Sequence, residues 1–445
     1  MAEAARDPAG ASATAAAIRA GALDAREPTA ACLGRAVELE PSLGVWAFLD
    51  PERARAQAEL AAEIHRAGRP QGPLHGVPVA VSDLFDTADM PTQDGSPLHA
   101  GRTPRRDAAA VARLRAAGAV ILGKTETAEL GIGRAPRTRN PLDPKRIAGS
   151  TCGGAAAAVA AGMVPVALGN QHSAGIVASA SYCGVLGFKP SRGAIARSGM
   201  LRLSALLDQP GVFARSIEDL ALAARCLYGP DSGDADARAS AAPPLVEIAA
   251  AEPPVEPRLC FVPPAGWDRA PAETRDAFAE LVEALGEPRI ETLNLPERCA
   301  DAVAWHRRLI ETDAALALAI EYAERRDGLS PALQALIERG RSHLAFDYAH
   351  AAASVAGLTE MLDQTLFAYD AILTPAVPGP APTGEPEASE WDYCRPWTLC
   401  GLPCLSLPLL ADSNGLPVGV QLVGAPGNDA RLLRIAGWLA RLDLA

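Results

Sequence analysis

Nowhere does this chain hold the ~18–20 uninterrupted apolar residues that a membrane-spanning helix needs. The alanine run from Ala155 is too short, and Gly162 stops it. Basic charge is also scarce. Asp and Glu outnumber Lys and Arg by 53 to 41, a formal net charge of −12, which argues against nucleic acid and anionic membrane surfaces as partners while selecting no substrate. The nine cysteines are odd in number and form no tight frame. The N-terminus is acidic and Ala-rich, without the basic-then-apolar start of a secretory signal. Together these features lead us to expect reduced thiols and a cytoplasmic location. Cys394, Cys400 and Cys404 cluster loosely, with His343 and His350 upstream, but lack the paired spacing of a zinc site. A phosphate loop is excluded at Gly149 to Gly154, because no Gly-Lys-Ser/Thr follows. No internal repeat is visible, and no metal or cofactor is expected.

What is present is a chain of 445 residues, 49% of them apolar, enough for a large core and too apolar for extensive disorder. Residues 1–10 read as frayed. Helical patterns run from Ala11 to Ala20, Pro28 to Leu39 and Pro51 to Ala67, amphipathic by period. Gly72 to Val81 is a turn feeding an apolar strand. Asp107 to Ala117 is helical with Asp107 as its cap, and Gly118 to Gly123 is a buried strand. This alternation points to an α/β sheet. Ser216-Ile-Glu-Asp219 is a helix start with a capping-box spacing, leading into Leu220 to Leu227. Residues 229–256, rich in Pro, Ala, Gly and Asp, read as a loop between lobes. Section 257–360 holds a strand at Leu259 to Val262 and several helices, with no functional assignment. Strands are expected before Pro375 and through Gly401 to Pro408, then a closing hairpin at Gly415 to Gly424 and a last helix from Asp429 to Ala440.

The chain is organised around Ala148 to Pro190, with Gly153-Gly154, a small-residue helix through Gly162, an apolar run to Gly169, then Cys183-Gly184 and Lys189-Pro190. This stretch resembles the signature region of the amidase signature family, serine hydrolases of carboxamides. Gly76-Val-Pro-Val-Ala-Val81, Gly123-Lys124-Thr125, Arg139-Asn140-Pro141 and the C-terminal strands match family landmarks in order, so the resemblance covers roughly three-quarters of the chain, with gaps mostly in 230–360. It implies a single amidase-signature domain over 1–445. That is an α/β/α fold with a central mixed β-sheet flanked by helices, divided into a signature core (11–228), the loop, a variable helical section (257–360) and a C-terminal part of the core (361–445).

The family uses a serine nucleophile, a second serine on a cis peptide and a lysine base. A serine hydroxyl attacks only once a base takes its proton. The resemblance places the lysine at Ser82, before the expected Asp83, the middle serine at Thr151, and the nucleophile at Gly175, 24 positions after Thr151. The family's oxyanion segment, Asp-Thr-Gly-Gly, is matched by Gln171-His172-Ser173-Ala174, and the expected arginine and proline beyond it are Val177 and Ser179. No catalytic residue is therefore expected at the triad positions. Three readings stay open, the third being a plain amidase whose nucleophile is relocated. In the first, the chain is a catalytically inactive homologue, working as a non-catalytic subunit with a protein partner or a further copy of itself, or as a binder of a small amide or acyl ligand. In the second, it is an amide- or acyl-processing enzyme whose site is re-tooled around Cys152, His172 and Ser173. Asp83 and Arg139 read as framework, and Lys124 would serve as a replacement base only if it approached the site.

Overall fold

The computed structural model describes residues 9–69, 72–238, 242–384 and 388–442. Residues 1–8 of the expected frayed start lie outside them. Thirteen strands form among the described residues: β1 (Trp46–Leu49), β2 (Pro78–Ser82), β3 (Val120–Thr125), β4 (Arg139–Asn140), β5 (Asp143–Ile147), β6 (Val166–Gln171), β7 (Leu186–Lys189), β8 (Gln209–Ala214), β9 (Leu259–Phe261), β10 (Ile290–Thr292), β11 (Ala371–Pro375), β12 (Cys404–Ala411) and β13 (Pro417–Val423). β4 and β5 pair with each other, and the other eleven make one sheet in the order β1-β3-β2-β6-β8-β7-β12-β13-β11-β9-β10. It is mixed, as expected. β3, β2 and β6 run parallel, β8 and β7 enter antiparallel, and β9 and β10 are parallel to β11.

Side-chain alternation along the strands separates two faces. Val79 and Val81 of β2, Ile121 of β3, and Val166 and Leu168 of β6 enter one core cluster. Ala80, Leu122 and Ala167 enter another, with Ala155–Ala158 and Val159 of the helix Gly153–Ala160. Small residues bring that helix close. A Cβ on Gly154 would stand 2.5 Å from the Glu126 carbonyl oxygen, nearer than a side chain can come without moving the backbone. A third cluster joins Ala174 and Val177 to the helices Ala302–Ala317, Pro331–Ser342 and Ala345–Ala368. The helical section thus covers the signature segment where it leaves β6. Among the described residues no helix is long and apolar enough to cross a membrane.

Three local expectations change. Asp107 does not cap its helix, which begins at Ala109 behind Ala108. Its carboxylate instead accepts the Ala88 N–H at 2.8 Å and pairs with Arg115. Ser216 does cap Ile217–Leu227, but Asp219 reaches elsewhere. It accepts the Ala11 and Ser12 N–H groups at 2.9 and 2.7 Å, closing the start of the helix Ala11–Arg19. The segment 229–256 is not all loop, because Leu245–Ala250 is a helix that buries Leu245 and Ala249 in the main core.

Candidate functional site

After β3 the chain turns sharply, with Leu130 at φ 46 and Gly131 at φ 76. A leucine in the left-handed region costs on the order of 1 kcal/mol. The turn is held by the Leu130 N–H on Asp94 O (2.8 Å) and the Gly131 N–H on Ala128 O (2.9 Å). Its product is the Gly131 carbonyl, which accepts from both Thr151 Oγ1 and His172 Nε2 at 2.9 Å. With Nε2–H donating there, His172 Nδ1 keeps its lone pair and accepts from Ser173 Oγ at 3.0 Å. Burial pushes the His172 pKa below its ordinary value, so the ring is neutral. Its carbonyl accepts from His306 Nε2 at 2.6 Å, and burial likewise holds His306 neutral.

Gln171 is a strut behind this loop. Its Oε1 accepts the Ile176 and Val177 N–H groups at 3.0 Å, and its Nε2 donates to Thr398 Oγ1 at 2.9 Å. Among the described residues the N–H groups of Ser173, Ala174 and Gly175 have no backbone partner. Thr151, His172, Ser173, Ala174 and Gly175 all line a cavity of about 700 Å³ under the helical section. A Cβ on Gly175 would stand 3.4 Å from the Thr151 Cβ and 2.7 Å from the Asn170 carbonyl oxygen. Residues 151 and 175 therefore face each other, and a side chain at 175 requires the backbone to shift. The peptide before Thr151 is trans; the cis bond among the described residues is Glu287-Pro288.

Ser82, Asp83, Cys152 and Gln171 do not line the cavity. Ser82 Oγ is buried without a hydrogen-bond partner among the described residues. Lys124 does not approach the site as a base. Its ammonium is spent on Asp83 Oδ1 (3.0 Å), Thr92 Oγ1 (2.7 Å) and the Pro91 carbonyl (3.4 Å). Among the described residues no hydrogen bond joins Cys152 to His172, and Cys152 is turned to Asn170. Its Sγ donates to Asn170 O at 3.0 Å and accepts from Asn170 N–H at 3.2 Å, and burial pushes its pKa up to about 12, where a thiolate nucleophile is not available near neutral pH.

Much of the remaining lining comes from residues that sequence reading left without a role, among them Arg134; Arg307, Ile310 and Glu311 on Ala302–Ala317; Leu336 and Arg339 on Pro331–Ser342; and Trp391 and Arg395. Arginines scattered along amphipathic helices carry no spacing signature, so no motif marks them. Glu129 ties the two walls together, accepting the Ser330 N–H at 2.9 Å and the Arg134 N–H at 3.3 Å.

A family model described as Amidase matches residues 27–433. The chain is 32% identical to a glutamyl-tRNA(Gln) amidotransferase subunit of Chloroflexus aurantiacus over 96% of this chain and 95% of that one. It is 33% identical to a putative amidase, AmiD, of Mycobacterium bovis over 94% and 90%. Among solved structures, a chain from a vestigial protein complex bearing on the origins of an s-triazine catabolic enzyme superposes with a TM-score of 0.91 at 28% identity, covering 97% of this chain and 98% of that one.

Proposed function

The chain belongs to the amidase signature family, and we propose that it is a member that has given up amide hydrolysis and works by binding, as a non-catalytic subunit or a small-molecule binder in the cytoplasm. The observation that carries this reading is position 175. The residue facing Thr151 across the cleft is a glycine, whose missing side chain could return only by displacing the Asn170 carbonyl 2.7 Å away. No hydroxyl stands there to attack a carbonyl, and Ser82 cannot act as a base near neutral pH. Loss of a catalytic triad in other serine hydrolases costs on the order of 10⁶ in turnover, with roughly 10³ left from the oxyanion site and binding. The names of two relatives, one an amidotransferase component and the other a chain of a vestigial complex, support the subunit form.

The test is turnover on a panel of primary and aryl amides. We expect none above the rate of a cleft-filling variant, Ala174→Trp, and none from the triple variant Ser82→Lys, Thr151→Ser, Gly175→Ser, because the oxyanion segment also differs. Amide turnover in the natural protein that one cleft substitution abolishes would overturn the reading. Native mass spectrometry of protein from its own host separates the two forms, a second chain at fixed stoichiometry marking the complex and a small-molecule adduct the binder. The secondary reading, re-tooled acyl or amide chemistry, keeps only Ser173 and His172, 3.0 Å apart. Hydrolysis that disappears in Ser173→Ala would put it in place of the first.

A further inference from the structure

In a chain of net charge −12, the cleft carries the opposite sign. Four arginines line it, Arg134, Arg307, Arg339 and Arg395, against one carboxylate, Glu311. Two acids that meet these arginines each have a second partner. Glu311 is shared by Arg339 and His343, both at 2.9 Å. Asp392 is shared by Arg307, at 2.6 Å, and Arg395. At the mouth, the exposed Arg134 makes no side-chain ion pair among the described residues. The floor adds donors, the N–H groups of Ser173 to Gly175 that have no backbone partner. Trp391, Ile310 and Leu336 add apolar surface to the same lining. Guanidinium forks and free amide donors satisfy an oxyanion, and the apolar lining satisfies a hydrocarbon or aryl body. The volume, about 700 Å³, lies within the range of small-molecule sites.

We propose that this cleft binds a small organic carboxylate with an apolar body, and prefers the acid to the corresponding neutral amide. This rests on the reading of the cleft as a binding site, and it reverses the preference that an amide-hydrolysing ancestor would need.

The probes are 4-phenylbutyrate and 4-phenylbutyramide, which share one body and differ in charge, titrated calorimetrically into the full chain at low salt and pH 7.5. Expected is carboxylate binding at least about tenfold tighter than amide binding, as a charge-assisted contact to a partly desolvated arginine gives, and weakening as salt rises. Arg134→Gln, exposed and outside any ion pair, leaves folding intact; it should weaken the carboxylate several-fold and leave the amide unchanged. Arg307→Gln should repeat that pattern. Equal affinity for the two probes, binding of neither, insensitivity to both substitutions, or displacement of the carboxylate by inorganic phosphate at equal concentration would each overturn the proposal. Conversion of 4-phenylbutyramide to the acid would overturn the non-hydrolytic reading instead, and leaves the charge preference to be judged from the titrations.

Discussion

Removing the ammonium of Lys124 should destabilise the fold by several kcal/mol, and removing the facing carboxyl as well should restore most of the loss. The pair sits below the cleft with side-chain exposures of 0% and 1%, Nζ to Oδ1 3.0 Å. Burial lowers the lysine and raises the aspartic acid from their ordinary pKa values, each opposing the shift in the other. Lys124→Met keeps the length of the side chain and deletes its charge. Asp83 is then left with the Gln93 N–H, at 3.0 Å on Oδ2, as its remaining side-chain partner. Breaking a buried pair from one side costs ~3–5 kcal/mol. In Lys124→Met with Asp83→Asn the amide oxygen still accepts from Gln93 and no charge is stranded, so a loss of about 1–2 kcal/mol is expected, at least ~1 kcal/mol smaller than that of the single variant. With an unfolding entropy of about 2.1 cal/mol/K per residue, the single variant should melt roughly 3–5 °C lower. Urea unfolding and calorimetry on the two variants give both numbers. The stranded carboxyl of the single variant binds its proton more tightly folded than unfolded. Its stability is therefore retained at low pH and falls as pH rises through the raised folded pKa, so the deficit should be larger at pH 8 than at pH 5. A single variant within 1 kcal/mol of the natural chain, or a double variant worse than the single, would refute the reasoning.

His99 bridges Asp94 at 2.8 Å and Glu321 at 3.3 Å, and the Asp94 hydrogen bond, followed by the weaker pull of Glu321, outweighs burial and raises its pKa above 6.5. Its contribution should therefore be complete below the unfolded value of 6.5 and disappear as pH rises through the folded one; a urea-midpoint difference from His99→Asn that stays constant between pH 5.5 and 8.5 would contradict this. Ser82→Ala removes a buried hydroxyl that lacks a partner among the described residues and should be neutral or stabilising by up to ~2 kcal/mol, a loss above 1 kcal/mol counting against it. Iodoacetamide at pH 7.5 should leave Cys152, with its pKa near 12, unmodified until the chain unfolds, while the half-buried Cys226, near 11, reacts earlier; peptide mapping by mass spectrometry that finds Cys152 labelled first would refute this.

The strands and most helices are legible in the sequence because their signals are local. Val79 and Val81 point to one face of the sheet with Val166 and Leu168 while Ala80 and Ala167 point to the other, and the helix Asp429–Ala440 agrees with the sequence reading residue for residue. Thr151, His172, Ser173, Ala174 and Gly175 are legible as one site because the flanking motifs fix their register. What fails is long-range. Asp107 has the chemistry of a cap and is recruited by Ala88 and Arg115 instead. Leu245–Ala250 is hidden by its Pro- and Ala-rich surroundings and exists because Leu245 finds the core. Cys152 and His172 are close in sequence, yet Cys152 points under the loop at Asn170 and His172 points into the cleft. The four arginines of the cleft come from segments that only tertiary packing brings together.

The strand order imposes a schedule on synthesis. β7 ends at Lys189, and its outer neighbour β12 begins at Cys404. Everything from β1 to β8 can pair from the first half of the chain, but the far edge of β7 stays bare until the C-terminal hairpin leaves the ribosome. At about 5–20 residues per second that interval lasts roughly 10–40 s. Throughout it a buried, apolar strand presents unpaired N–H and C=O groups to any other nascent chain. A chain released from a ribosome stalled in the helical section would be a half-sheet with a bare, pairing-competent border.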